Sequence, residues 1–134
     1  MKIATYLNFD GNCAEAFRFY AEALGGQISF MQTFGESPMA DQVPPDKHDQ
    51  VMHATLNVGD QTLMGSDAVQ RYDTPKAFAV SLQVTAAEAE RIWEPLSQGA
   101  QVEMPLQQTF WAARFGMLRD RFGIPWIING EEQG

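Results

Sequence analysis

Two side chains in this sequence sit where their chemistry would have a use: Arg114 and His53. Arg114 falls in an alternating run, Phe110–Leu118. There Trp111, Ala113, Phe115 and Met117 share one face of a strand, and Ala112, Arg114, Gly116 and Leu118 share the other. A cation among small neighbours suits a hollow better than a packed core, where an unpaired charge is costly. In a hollow, the planar guanidinium fork binds a carboxylate, phosphate or phosphonate. The same pattern also fits an arginine facing solvent, or one paired with Asp120 or a carbonyl. His53 belongs to a second run, where Val51, His53, Thr55 and Asn57 share a face. With Tyr6 in hydrogen-bond reach of one ligand, the two would act as acid and base; alternatively, two buried polar groups satisfy each other. The single cysteine, Cys13, excludes an internal disulfide or a cysteine metal cluster. Its place in a first helical turn can lower a thiol pKa, but no histidine is placed to serve it, and it reads as structural.

These residues must be held by strands and helices, and the sequence marks both. Lys2–Phe9 alternates, with Ile3, Thr5, Leu7 and Phe9 opposite Ala4, Tyr6 and Asn8. Asp10-Gly11 turns the chain, and Asn12 with Glu15 spells a capping box. Cys13, Phe17, Tyr20, Ala21 and Leu24 then recur at helical spacing up to the Gly25-Gly26 stop. Gln27–Phe34 reads as a strand. Residues 35–49 have no period and contain three prolines, a loop long enough to be a lid, a partner contact or disordered; His48 within it is read as solvated. Strands at Gln50–Val58 and Gln61–Ser66 flank a Gly59-Asp60 hairpin. After a polar linker, a strand around Phe78–Val84 leads into a second box, Thr85 with Glu88. Ala89, Ile92, Trp93 and Leu96 form its helical stripe, with Gly99 as the stop. A strand at Gln101–Leu106, the Phe110–Leu118 run, an Asp-Arg-Phe-Gly turn and a last strand follow, with Trp126 packed under the second helix.

The order repeats. The caps Asn12 and Thr85 are 73 residues apart and the stops Gly25 and Gly99 are 74 apart, too long for a solenoid period. The expected fold is therefore α+β: two βαβββ modules, about residues 1–67 and 76–130, forming a curved mixed sheet around a cavity in one domain. Each helix covers one sheet face. The polar alternates line the hollow: Tyr6, Asn8, His53, Thr55, Met64, Ser66, Ser81, Gln83 and Arg114. Trp111 lines the pocket rim or packs against a partner subunit. The net charge of −8 disfavours nucleic acid and anionic membrane surfaces as partners. No apolar run has membrane-spanning length and no secretory signal precedes the first strand, so the default compartment is the cytoplasm.

The motifs YLNFDGN at 6–12, VMHATL at 51–56, LMGSD at 63–67 and QTFWAARFGMLRDRFGIPW at 108–126, set in a doubled βαβββ plan, resemble the vicinal oxygen chelate superfamily. That superfamily includes glyoxalase I, bleomycin-binding proteins, fosfomycin-resistance enzymes and extradiol dioxygenases. The nearest resemblance is to its PhnB-like branch, labelled 3-demethylubiquinone methyltransferase-like. No glycine-rich strand-to-helix turn of the nucleotide-binding kind accompanies that label here. The resemblance implies homodimers and a divalent metal held by His and Glu. Carried over by position, those ligands fall at or next to Tyr6, near Met64, near Ala79 or Ser81, and at Ile127, which serve such an ion poorly. The expectation is a cytoplasmic homodimer that binds a small aromatic or anionic molecule without the usual metal. The alternative is a metal-dependent glyoxalase, isomerase or lyase using His53, with Glu103 as a further ligand if its strand faces inward.

Overall fold

A computed structural model describes residues 1–132 and places every element the alternation and capping signals foretell. The chain divides into two compact units, one ending at Asp73 and the other beginning at Thr74. The first unit contains β1 (Thr5–Phe9), α1 (Cys13–Leu24), β2 (Gln27–Thr33), β3 (Val51–Val58) and β4 (Gln61–Asp67). The second contains β5 (Val80–Val84), α2 (Ala86–Leu96), β6 (Gln101–Gln107), β7 (Ala112–Arg119) and β8 (Pro125–Glu132). Each unit builds a four-stranded mixed sheet of the same order, β1-β4-β3-β2 and β5-β8-β7-β6. In each, the strand before the helix pairs in parallel with the last strand, and the other pairs are antiparallel.

One face of each sheet is covered by its helix. Along α1, Cys13, Ala16, Phe17, Tyr20, Ala23 and Leu24 are buried, a stripe at three- and four-residue steps. Phe17 and Tyr20 meet Phe9 of β1 at centroid separations of 6.0 and 6.4 Å. Gly65 of β4 lets the helix come close, since a Cβ there would lie 2.8 Å from the Phe17 ring. In the second unit, Ala89, Ile92 and Leu96 are buried. Gly116 of β7 plays the part of Gly65: a Cβ there would lie 2.6 Å from the Trp93 ring. Trp126 is 1% exposed and shares the helix-covered side of β8 with Ile128 and Gly130. Its indole Nε1 donates to Asp120, which also accepts from the amides of Phe122 and Ile124 and so fixes the Asp-Arg-Phe-Gly turn.

The two helix starts differ. Thr85 and Glu88 complete the capping box foreseen for α2. Asn12 occupies the N-cap position of α1, but its side chain makes no capping bond, so the box expected with Glu15 does not form. Asp67, 3% exposed at the end of β4, accepts instead from the amide of Cys13 at 3.0 Å and from that of Val51 at 2.8 Å. The carboxylate thereby ties α1, β3 and β4 together and sits at the positive end of a helix. Burial, reinforced by the Asp67 charge, pushes the Cys13 thiol well above its ordinary pKa, the reverse of an activated cysteine.

Candidate functional site

The uncovered face of the first sheet holds most of the residues singled out in the sequence. Pairing sets them in two rows. Tyr6, Met64, Thr55 and Phe30 stand side by side across β1, β4, β3 and β2. In the neighbouring row, Asn8 pairs with Ser66 and His53 with Gln32. Leu7, Phe9, Ala54, Leu56, Leu63 and Gly65, the alternates, are buried beneath.

His53 spans the two rows. Its Nδ1 lies 3.5 Å from the Tyr6 hydroxyl, the outer limit of a hydrogen bond, and its Nε2 lies 3.1 Å from Thr55 Oγ1. The imidazole is flanked by rings on both sides, Tyr6 at 5.8 Å and Phe30 at 5.9 Å between centroids. Three rings therefore cross the sheet as a continuous ridge. Tyr6 is 45% and Phe30 47% exposed, so the ridge presents ring surface rather than hiding it. With the proton on Nε2 donated to Thr55, Nδ1 accepts from Tyr6; with the opposite tautomer the roles reverse. Either way one imidazole nitrogen and one phenol face each other, an arrangement able to pass a proton. Asn8 and Ser66 make no side-chain hydrogen bond among the described residues and keep their full donor and acceptor capacity.

The other candidates lie on the second unit. Ser81 is exposed on β5 and accepts from Gln83 Nε2 at 2.9 Å, while Asn129 Nδ2 donates to Gln83 Oε1 at 2.9 Å. An open depression of about 390 Å³ borders this amide chain, lined by Gln83, Val84, Thr85, Glu88, Asn129 and Glu131. Trp111 stands edge-on to Phe115 at 5.1 Å and to the exposed Phe110 at 4.7 Å.

Arg114 corrects the phase expectation. It is paired with Gly130, whose missing Cβ would touch Ala89 of α2, and its guanidinium meets Glu90 of α2 at 2.6 Å. It therefore lies on the helix-covered side, not among the open-face polar residues. Small residues flank it because the helix packs tightly there, not because a hollow opens. His48 is also not simply solvated. Its Nε2 lies 2.9 Å from the Ala40 carbonyl and 3.0 Å from that of Val43, so this nitrogen carries the proton and staples the 35–49 loop. Two short 3-10 turns and the buried Phe34, Ser37 and Val43 give that loop its own packing.

Phe30 and Gln32 were not foreseen. The β2–β3 register slips between Ile28 and Phe30, and this bulge breaks the alternation that would have announced them. A near-repeat of apolar residues at Ile28 and Met31 is the only sequence trace of the slip.

The residues at the superfamily's metal positions fit a divalent ion badly. Tyr6 offers a phenol, Met64 a thioether, Ser81 a neutral hydroxyl, and Ala79 and Ile127 no side-chain donor atom. Among the described residues no three of His, Cys, Asp and Glu converge as ligands, and Glu103 is exposed on β6.

Comparison with known proteins places this geometry. The family model described as 3-demethylubiquinone-9 3-methyltransferase matches residues 1–129. Protein PA1353 from Pseudomonas aeruginosa is 47% identical and superposes with a TM-score of 0.89, each chain covering 98% of the other. A Bacillus cereus protein described as a putative 3-demethylubiquinone-9 3-methyltransferase, PhnB protein, is 28% identical with a TM-score of 0.79, over 96% of this chain and 98% of that one. Protein YjdN of Escherichia coli K12 is 32% identical over 99% of this chain and 97% of its own. These matches show that the chain belongs to the 3-demethylubiquinone-9 3-methyltransferase-like, or PhnB-like, family.

Proposed function

We propose that the open sheet face of the first unit binds a small organic molecule without a metal ion, through Tyr6, Asn8, His53, Thr55, Met64 and Ser66. The observation that carries this proposal is the Tyr6–His53–Thr55 chain on a face that keeps two rings half exposed and leaves Asn8 and Ser66 unpaired. A structural face would bury its rings or cover them with charge; this one displays them beside unused hydrogen-bonding groups. Ser81 and Trp111 are secondary candidates on the second unit. Arg114 is set aside because it faces α2. By its resemblance to PhnB-like proteins the chain is also proposed to form a homodimer, which sedimentation velocity reads directly.

The test is methyl NMR on protein labelled at methionine, screened against a fragment library. Binding is expected to shift the Met64 methyl and the His53 ring, to weaken in His53→Ala, and to be untouched in Arg114→Gln. Compounds that never move Met64, or binding lost in Arg114→Gln but kept in His53→Ala, would sink the proposal. Elemental analysis accompanies it: near-stoichiometric metal that disappears in His53→Ala would restore a metalloenzyme of the glyoxalase, isomerase or lyase type.

One observation favours a second proposal. Tyr6 Oη and His53 Nδ1, 3.5 Å apart, stand close enough for both to reach one bound molecule, which suits them to metal-free proton transfer on it. Turnover that requires both groups, lost in Tyr6→Phe as well as in His53→Ala, would establish catalysis over simple binding.

A further inference from the structure

The composition of the ridge and its surroundings narrows what this face can hold, given the binding role proposed above. We infer that its ligand is a flat, uncharged aromatic ring system with a hydroxyl or similar polar group on one edge.

Charge comes first. The chain has 17 acidic and 9 basic side chains, yet neither row holds an Asp, Glu, Lys or Arg. At the border the Lys2 ammonium is engaged with Thr62 Oγ1 at 2.7 Å, and the Glu36 carboxylate is engaged with Thr33 N at 3.0 Å and Thr33 Oγ1 at 2.9 Å. An anion moved from water onto the rows would lose hydration with no lysine or arginine among them to replace it, and the net charge of −8 repels it on approach. An ammonium would find ring faces but no carboxylate on the rows, and the Glu36 carboxylate at the border is already taken by Thr33.

Shape comes second. Neighbouring strands lie about 4.8 Å apart, so Tyr6 and Phe30, at the two ends of one row, are separated by three such steps. Between them in the row stand Met64 and Thr55, both without a ring. The rings at the ends and the imidazole between them are mutually tilted by 39° and 46°. A planar ring system laid along this ridge meets aromatic surface and the polarizable Met64 sulfur, which favour aromatic over saturated partners. The unpaired Asn8 and Ser66 lie one row away, placed to donate to and accept from a group on the ligand's edge.

The test uses four matched probes on the full chain, 2-naphthol, 2-naphthoate, 2-naphthylmethylammonium and decahydro-2-naphthol, with naphthalene as the reference that lacks the hydroxyl. Titrations at pH 7 are followed at the Met64 methyl. 2-Naphthol is expected to bind about tenfold more tightly than any of the other three, with that preference over the saturated alcohol lost in Tyr6→Leu/Phe30→Leu. In Asn8→Ala its advantage over naphthalene is expected to shrink, while the fold, checked by the amide spectrum, persists. Naphthoate, the ammonium or decahydronaphthol binding at Met64 as tightly as naphthol would overturn the ligand class while leaving the face as a binding site. If no probe moves Met64 and the fragment screen is silent too, the binding role and this inference fall together.

Discussion

Replacing Asp67 by Asn tests how the first unit is held together. The carboxylate is 3% exposed and accepts two backbone amides, Cys13 N at 3.0 Å and Val51 N at 2.8 Å, with one oxygen for each. Asparagine has a single acceptor oxygen, so one amide would face the side-chain NH2 and lose its partner. A hydrogen bond to a charged acceptor contributes about 1.5–3 kcal/mol, and a buried amide left unpaired costs a similar amount. Loss of negative charge at the α1 N-terminus adds about 0.3–1 kcal/mol, and relief of the desolvated charge offsets part of the total. The expected destabilisation is about 2–4 kcal/mol, read from urea unfolding with the slope unchanged. Asp67→Ala, which strands both amides, should lose more. The accompanying signature is an upfield move of the Cys13 or Val51 amide proton in NMR. A loss below about 0.5 kcal/mol with both amide shifts unchanged would refute the bridging role.

Three further outcomes follow from the packing and the caps. Thr85→Ala should cost about 1 kcal/mol, whereas Asn12→Ala should be near neutral because Asn12 makes no capping bond; the two urea midpoints decide it. Gly116→Ala should lose about 1–3 kcal/mol by driving a methyl into the Trp93 ring, and Trp93→Leu in the same chain should recover part of it, read as a double-mutant cycle. The raised pKa of Cys13 keeps the thiol neutral in the folded chain, so its contribution is full below the ordinary thiol pKa of about 8.5 and is lost as pH rises above it. Stability should therefore fall by up to about 1.4 kcal/mol per pH unit above that point, and Cys13→Ala should remove this component of the slope.

Much of the fold could be read from the chain because its signals are local. Unbroken alternation in β1, β3 and β4 put Tyr6, Asn8, His53, Thr55, Met64 and Ser66 on one face, where the structure has them. Thr85 and Glu88 are three residues apart, and their box announced α2. The misses have physical causes. Small residues around Arg114 suggested an opening, but glycine in a strand equally marks a helix pressed against it, and only Trp93 and Ala89 across the gap tell the two apart. Phe30 was hidden by a bulge, which shifts a strand's phase without an obvious residue signature. The partner of the Cys13 amide lies 54 residues further along the chain, so no capping rule applied to a short window finds it.

That separation has a consequence for the order in which the protein assembles. The start of α2 is secured by neighbours three residues apart and can close within the time a single helix takes to form. The start of α1 remains open until β4 has been made and has returned beside β1, because its acceptor arrives with the last residue of that strand. During synthesis the first helix emerges early and is completed late, while the second emerges late and is complete at once. Contacts that close long loops form after local ones, so in a folding-rate measurement Thr85 belongs to the early interactions and Asp67 to the late ones. Duplicated modules of the same architecture thus carry different clocks.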